Sequence, residues 1–396
     1  MIQTDINSTK QDAFASPTGE AEVFDAAIVG GGLAGLALSI QLAKLGYSVI
    51  LLEKEQYPFH RVCGEYISME SWDFLKSLGV ELEKMNVAMI TGLQVSAVNG
   101  KIVNQKLPLG GFGISRYLLD HTLVQLAKTA GVSILENTKV NDIIFDTPGF
   151  TIETSQQNYR AKVAIACYGK RSNIDIKWKR PFSVAAKNKL NNYMGVKYHI
   201  KTDFPVDTIA LHNFKNGYCG ISKIEGDKYC LCYLTTAGNL QKSNNDIKKM
   251  EQTILSQNPH LEKIFAESEM LYNAPVTISQ ISFDKKEQVE NHVLMTGDAA
   301  GMITPLCGNG MSMALHGSKM AAAHIHDFLQ GKFSREEMEK QYRLQWQRQF
   351  AHRLITGRRI QRLFGSQWLT NCFISIVKPF PWLIRFLIKQ THGKPF

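Results

Sequence analysis

One segment limits the fold more than any other: Val23-Phe24-Asp25-Ala26-Ala27-Ile28-Val29, followed by Gly30-Gly31-Gly32-Leu33-Ala34-Gly35. The apolar run has the length of a buried strand and ends in glycine. A Leu/Ala-rich helix is predicted over Leu33–Leu45 with Gly46 as its stop, and Ser48–Leu52 reads as a second strand closed by Glu53. That context gives the G-x-G-x-x-G pattern physical meaning. Gly30 permits a tight turn, Gly32 lets a pyrophosphate approach the backbone, and Gly35 lets helix and strand pack closely. The free N–H groups and the positive helix end attract phosphate, and Glu53 is placed to accept hydrogen bonds from an adenosine ribose.

At 396 residues the chain exceeds one ordinary core, which predicts two domains and a terminal extension. A hydrophobic fraction of 44% with 20% charged residues is that of a soluble globular protein. Residues 1–20 are polar, lack a signal-peptide core and read as a disordered lead-in. None of the seven cysteines sits in a C-x-x-C or zinc-type spacing. Cys230 and Cys232 share one face of a predicted strand and do not suit a mutual disulfide. A reduced, cytoplasmic protein is the expectation. The net charge of +10 is uneven: from Gly331 onward there are 13 Lys/Arg against 3 Glu, the whole excess. No nucleic-acid-binding motif accompanies these residues, so nucleic acid is not an expected partner.

The rest of the chain leaves the first pattern and returns to it. Helices are predicted at Met69–Leu78 and Ser115–Ala130, and residues 87–107 alternate around Asn99-Gly100 as a hairpin. Strands follow through 132–166. From about Pro181 to Phe283 the chain is strand-rich (Met194–Ile200, Gly217–Ile221, Lys228–Leu234), with one helix near Asn245–Ser256. Strand, glycine turn and helix come back over Val293–Phe328. The expected organisation is a discontinuous α/β domain (22–84, 108–180, 291–335) that brackets a β-rich domain (85–107, 181–290). A basic helical extension (336–396) completes it.

The returning motif is Val293-Leu294-Met295-Thr296-Gly297-Asp298-Ala299-Ala300-Gly301, then Pro305 and Gly308-Asn309-Gly310-Met311. With the first motif it resembles the para-hydroxybenzoate hydroxylase superfamily of FAD-dependent flavoproteins, which includes the geranylgeranyl reductases. The resemblance covers about residues 22–335 and is most specific at its two glycine-rich ends. It implies a glutathione-reductase-like FAD/NAD(P)-binding Rossmann domain joined to a β-rich substrate domain. It also implies that Asp298 binds the ribityl chain of FAD. The turn Gly308–Met311 then aims N–H groups and a helix N-terminus at the pyrimidine edge of the flavin, where positive potential stabilises the reduced form. Gly113-Ile114-Ser115-Arg116 is similar to the family's Arg-headed helix and implies that Arg116 lies near the flavin or its phosphates. Arg61 is similar to another position that approaches FAD. Surface ion pairs are the alternative for both arginines. Ala34, Lys54, Cys63, Val140, Gly297 and Pro305 complete the implied cofactor set. No metal site is expected.

Two departures bear on function. Hydroxylases of the superfamily carry an Asp-Gly motif where this chain has Cys167-Tyr168-Gly169-Lys170-Arg171-Ser172, which weakens the case for NAD(P)H as direct reductant. Pro58-Phe59-His60-Arg61-Val62-Cys63-Gly64-Glu65 resembles the loop of the geranylgeranyl reductases, but their Tyr-x-Trp-x-Phe-Pro motif is reduced to Tyr218 in Gly217-Tyr218-Cys219-Gly220. The Trp-x-Trp-x-Ile-Pro run of flavin-dependent halogenases is missing. Cys63 and Tyr218 are the catalytic candidates. Cys63 reads as a thiolate favoured by Arg61 or, preferably, as a small residue packed under the cofactor.

A single-component monooxygenase leads: NAD(P)H visits transiently, and a flavin C4a-hydroperoxide hydroxylates or epoxidises a lipophilic aromatic or alkene substrate. An isoprenoid or lipid ene-reductase follows, and a non-catalytic flavoprotein comes last. The tail, Trp368–Lys389, is apolar and split by Pro379 and Pro381, and neither half is long enough to span a bilayer. It reads as helices packed on the substrate domain or as a peripheral anchor at the inner face of the membrane, with packing favoured.

Overall fold

The computed structural model describes residues 23–184, 192–364 and 367–396; the expected lead-in, residues 1–20, lies outside them. The described strands form two sheets. Numbered along the chain, the first holds β1 (Val23–Val29), β2 (Val49–Leu52), β6 (Ser133–Leu135), β7 (Val140–Asp146), β8 (Gly149–Thr154), β9 (Asn158–Ala166), β16 (Val289–Glu290) and β17 (Val293–Met295). The second holds β3 (Tyr66–Ser68), β4 (Ala88–Ser96), β5 (Ile102–Gly113), β10 (Tyr193–Lys201), β11 (Thr208–Phe214), β12 (Gly217–Lys223), β13 (Tyr229–Thr236), β14 (Glu269–Met270) and β15 (Val276–Ile281).

The centre of the first sheet is parallel, in the order β17-β9-β1-β2-β6. Ala26–Val29 of β1 are buried on both faces, which is why this strand reads as a continuous apolar run rather than an alternation. One face is covered by α1 (Leu33–Lys44), which packs against α3 (Arg116–Thr129) and α9 (Gly310–Leu329). The short α2 (Trp72–Leu78) ends where expected, on Gly79 in the left-handed region. Two small helices, α4 (Asn173–Lys177) and α5 (Pro181–Val184), follow β9.

The second sheet is antiparallel except where β11 runs parallel to β4, the pairing that knits residues 88–96 to 208–214. The hairpin predicted at 87–107 is longer: β5 continues to Gly113, and β3 pairs with its far end. Gly113 makes this crossing possible, because a Cβ there would lie 1.8 Å from the Lys223 carbonyl oxygen. Where one helix was expected near 245–256, three short ones occur: α6 (Ala237–Lys242), α7 (Ile247–Thr253) and α8 (Pro259–Glu267). The start of α8 carries a legible signal, Asn258 as N-cap followed by Pro259.

The basic extension is part of the body of the protein. Helix α10 (Arg335–Phe364) buries Met338, Tyr342, Trp346, Phe350 and Leu354, a stripe at four-residue spacing, in the core of the first domain. Tyr342 also donates to the Met295 carbonyl at 2.6 Å. Helices α11 (Gln367–Val377) and α12 (Pro381–Thr391) break apart at the prolines, and Ile374, Ile384 and Ile388 pack among Val95, Val103 and Leu107 of the second sheet.

Candidate active site

At the first glycine turn Gly30 and Gly35 are fixed by their neighbours. Gly30 has φ +106°, and a Cβ would lie 2.6 Å from the Cys167 carbonyl oxygen. At Gly35 it would lie 2.1 Å from the Gly30 oxygen. Gly32 differs: the nearest atom to a Cβ is the Arg116 guanidinium, 3.8 Å away, so the space in front of the turn is open and faces a cation. No side chain caps α1, and no acidic residue occupies its first turn. Its N–H groups therefore remain available to an anion.

Four charged side chains converge here. Buried Glu53 accepts from Gly31 N at 2.9 Å and from Arg61 at 3.1 Å. Asp120 takes Arg116 through two bonds of 2.8 Å and Arg61 at 3.1 Å. The arginines form ion pairs, but part-buried ones at the turn rather than surface ones. Asp120 was not anticipated, although its i,i+4 spacing from Arg116 was visible. Ala34 lies at the buried start of α1, and Val140 is buried in the same core. Lys54 is exposed, pairs with Glu55 at 3.3 Å and adds no side-chain contact to the cluster.

The second glycine motif stands opposite. Gly297 at φ +62° packs against Ala34, where a Cβ would lie 3.2 Å from the Ala34 methyl, so the two motifs touch. Burial pushes the Asp298 carboxyl up, against the pull of Lys286, Arg116 and Lys170. Lys286, itself lowered to about 8 by burial, donates to the carbonyls of Asp298 (2.8 Å) and Lys170 (2.6 Å) and braces this loop. After Pro305 comes a turn with Gly308 at φ +63°, seated on the Tyr66 ring. Helix α9 then starts at Gly310 without a side-chain cap: the Asn309 amide nitrogen donates to Thr391 O at 2.9 Å, and the amide oxygen caps no helix N–H. The buried oxygens of Asn309, Ser312, Tyr66 and Tyr218 have no protein partner. An uncapped helix end beside unsatisfied buried polar atoms is what a polar ring system needs on its binding face.

The loop predicted at 58–65 joins the two ends. The Cys63 thiol lies 3.5 Å from the Met311 sulfur. Burial pushes this thiol up, against the pull of Arg116 and Lys197, which favours the packed reading over the thiolate, and Arg61 is committed to Glu53 and Asp120. Tyr218 is buried, and its hydroxyl is held firmly neutral by burial.

Beneath the loop lies a group that sequence reasoning missed. Glu65 is fully buried, sits at φ +54°, and takes Lys197 and His199 (2.6 Å) on its two oxygens. It also accepts from Arg116 N at 2.8 Å. A non-glycine residue in that region is strained, and these bonds hold it there. Burial opposes ionisation of Glu65, but the His199 hydrogen bond and the Lys197 charge outweigh it and keep the carboxyl below its ordinary range. From His199 the chain continues through the Tyr272 hydroxyl (2.6 Å) to His60 (3.0 Å). Glu65, His199 and Cys230 approach within 4.8 Å, a spacing compatible with a metal. However, the Lys197 ammonium already neutralises Glu65, and the Cys230 thiol, pushed up by burial, donates to Cys63 O at 3.2 Å. These residues act as a structural knot.

Tyr168, which replaces the family's aspartate, donates to Asp175 at 2.8 Å, and Asp175 in turn binds buried Arg180 at 2.9 Å. A carboxylate is thus still present in this region, seven residues later in sequence.

An apolar cavity of about 130 Å³ adjoins the second turn. Leu93, Val95, Leu107 and Leu211 form its sheet wall, Pro305–Gly308 one end, and Ile374, Ile384 and Ile388 its roof.

The sequence model of the family described as "FAD binding domain" matches residues 23–354. Conditioned medium factor receptor 1 of Dictyostelium discoideum is 27% identical, with 83% of this chain and 68% of that protein aligned. Digeranylgeranylglycerophospholipid reductase of Methanosarcina acetivorans is 23% identical over 90% of this chain and 86% of its own. Kynurenine 3-monooxygenase of Stenotrophomonas maltophilia is 23% identical over 79% and 74%. Among solved structures, the geranylgeranyl bacteriochlorophyll reductase-like protein of Thermoplasma acidophilum superposes with a TM-score of 0.76, at 18% identity, covering 95% of this chain and 97% of its own. The flavin-dependent brominase Bmp2 superposes with a TM-score of 0.75, at 20% identity, covering 93% of each. These likenesses establish the fold, and the open glycine cradle, uncapped helix ends and unsatisfied buried oxygens fit FAD.

Proposed function

The chain belongs to the FAD binding domain family, and on that premise we propose that it is an FAD-dependent monooxygenase acting on a lipophilic aromatic or alkene substrate. The observation that carries this reading is the apolar cavity of about 130 Å³ that ends on Pro305–Gly308. Oxygen transfer asks the protein chiefly to position the substrate and exclude water, and this wall supplies no acid–base pair and little else that is polar. When bound, FAD carries two electrons from NAD(P)H, the proposed transient donor, and activates oxygen. One substrate, one O2, one NAD(P)H and one proton give the hydroxylated or epoxidised product, NAD(P)+ and water.

The chain's own residues take four tasks. The open face of Gly32, Arg116 and the start of α1 would hold the pyrophosphate. Asp298 would meet the sugar-like chain of the cofactor. The start of α9 offers N–H groups to negative charge, and Tyr66, which lines the cavity and whose hydroxyl has no protein partner, orients an oxygen function of the substrate. One observation favours a second reading, an ene-reductase of isoprenoid or lipid double bonds. The neutral Cys63 thiol, beside Met311, is a proton source of the kind that alkene saturation requires at the second carbon.

Turnover under ¹⁸O₂ with a long-chain phenol or a polyprenyl alkene tests both. One labelled oxygen in the product, with NAD(P)H consumed in proportion, is expected. A product that gains two hydrogens and no label overturns the monooxygenase in favour of the reductase.

A further inference from the structure

Helices α11 and α12 have two unlike faces. Ile374, Ile384 and Ile388 point into the cavity roof and are buried. On the outside, Trp368 is 71% exposed, Ile376 59%, Phe380 49%, Trp382 65% and Phe386 52%. Five of the sixteen large hydrophobic side chains exposed among the described residues thus fall within one stretch of nineteen, and two of the chain's five tryptophans are among them. Isolated exposed apolar residues are ordinary on a protein surface, whereas a cluster marks a contact. Tryptophan in such a cluster favours the boundary between water and lipid, because its ring is apolar and its N–H is not.

We infer that this outer face seats on an anionic lipid bilayer surface, so that the cavity beneath receives its substrate from the membrane. Charge argues for lipid over a second copy of the chain. From Lys340 to Phe396 there are eleven Lys/Arg and no Asp or Glu. Lys378, Arg385 and Lys389 are exposed on α12 and the bend before it, among the aromatic residues. A twofold pairing of this face would set those cations against one another, whereas anionic headgroups neutralise them. Length settles the mode. Each helix has eleven residues, and no helix among the described residues is long and apolar enough to cross a membrane, so the contact lies in the plane of the interface. The roof of the cavity and the lipid-facing surface are opposite sides of the same two helices, which shortens the route of an apolar substrate to one helix thickness. This route rests on the cavity being the substrate site; the membrane seat does not.

The test is flotation of the full-length, FAD-loaded protein with vesicles of phosphatidylcholine plus phosphatidylglycerol, and of phosphatidylcholine alone. The protein is expected to float with the mixed vesicles and more weakly with the neutral ones, with a blue shift of tryptophan emission. The variant Trp368→Ser/Trp382→Ser/Phe386→Ser should bind about tenfold or more weakly. Lys378→Glu/Arg385→Glu/Lys389→Glu should lose the preference for anionic vesicles, and both variants should retain their FAD absorbance. No flotation of the parent protein, or flotation of the apolar variant equal to it, overturns the inference. Self-association in sedimentation velocity that the same triple serine variant abolishes overturns it in favour of a second copy. The assay reads no turnover, so its failure is separate from any failure of the reaction assigned to the cavity.

Discussion

The two ends of the proposed cofactor region solve opposite problems. At the nucleotide end, charges are brought together and paired before any ligand arrives: Glu53, Arg61, Asp120 and Arg116 form one connected group in front of the glycine turn. At the cavity end the surface is stripped of charge. The charged pair Glu65 and Lys197 is packed with His199 behind the 58–65 loop, and the cavity side offers an uncapped helix, the Tyr66 ring and aliphatic wall. Binding a diphosphate rewards fixed cations, while chemistry on an apolar substrate rewards their absence. The difference implies that variants at the two ends fail in different ways.

The largest expected effect is at the buried knot. Glu65→Ala leaves the Lys197 ammonium buried and alone, and should cost about 3–5 kcal/mol of stability in denaturant unfolding. Because the folded Glu65 carboxyl lies below its usual range, its contribution is fully present above that range and is lost as pH falls through the folded value. Glu65→Gln should therefore narrow its stability gap to the parent protein as the solution is acidified. A gap independent of pH would show that Glu65 is held there for shape alone. Next comes Gly35→Ala. Its methyl would lie 2.1 Å from the Gly30 oxygen, costing about 1–3 kcal/mol and releasing FAD, as read by melting temperature and bound-flavin absorbance. Retention of full flavin content would break the contrast between the rigid nucleotide end and the adaptable cavity end.

Arg116→Ala should weaken FAD about 10–100-fold in equilibrium titration, the range expected when a charge-assisted contact worth about 1.5–3 kcal/mol is removed, with the chemical step little changed in the loaded enzyme. The smallest effect is expected at Cys63→Ser. If oxygen transfer is the reaction, turnover should change by a few-fold at most, about 1 kcal/mol of barrier. A loss of several orders of magnitude would mark Cys63 as the proton donor of a reductase.

How much of this was legible follows from the distance over which each feature is built. The two glycine motifs are local: backbone approach and helix starts are encoded in consecutive residues, so Gly30, Gly35, Gly308 and the ends of α1 and α9 were readable with near-correct bounds. Pro379 and Pro381 likewise announced the break between α11 and α12. The Glu65 knot was not readable, because its partners lie 132 and 134 residues away. On β10, Gly195, Lys197 and His199 alternate with Val196, Tyr198 and Ile200, a pattern that ordinarily places the polar set in water. Here that face is covered by the 58–65 loop, close enough that a Cβ on Gly195 would lie 2.9 Å from Val62. The missed signal was the glycine, an odd choice on a solvent-facing strand. The three helices of the insertion were blurred for another reason: at six to nine residues each, they present too few turns to display a period.

The wiring of the first sheet has a consequence for synthesis. Its strand β17, at Val293–Met295, pairs with Ile165 and Ala166 at the end of β9, so it leaves the ribosome only after every strand of the second sheet. Until then the C-terminal part of β9, beyond the residues that β8 covers, carries a bare hydrogen-bonding edge in what will become the FAD-binding half, of the kind that invites pairing with other chains. Fragments that stop before residue 295 should therefore aggregate rather than yield a smaller working protein.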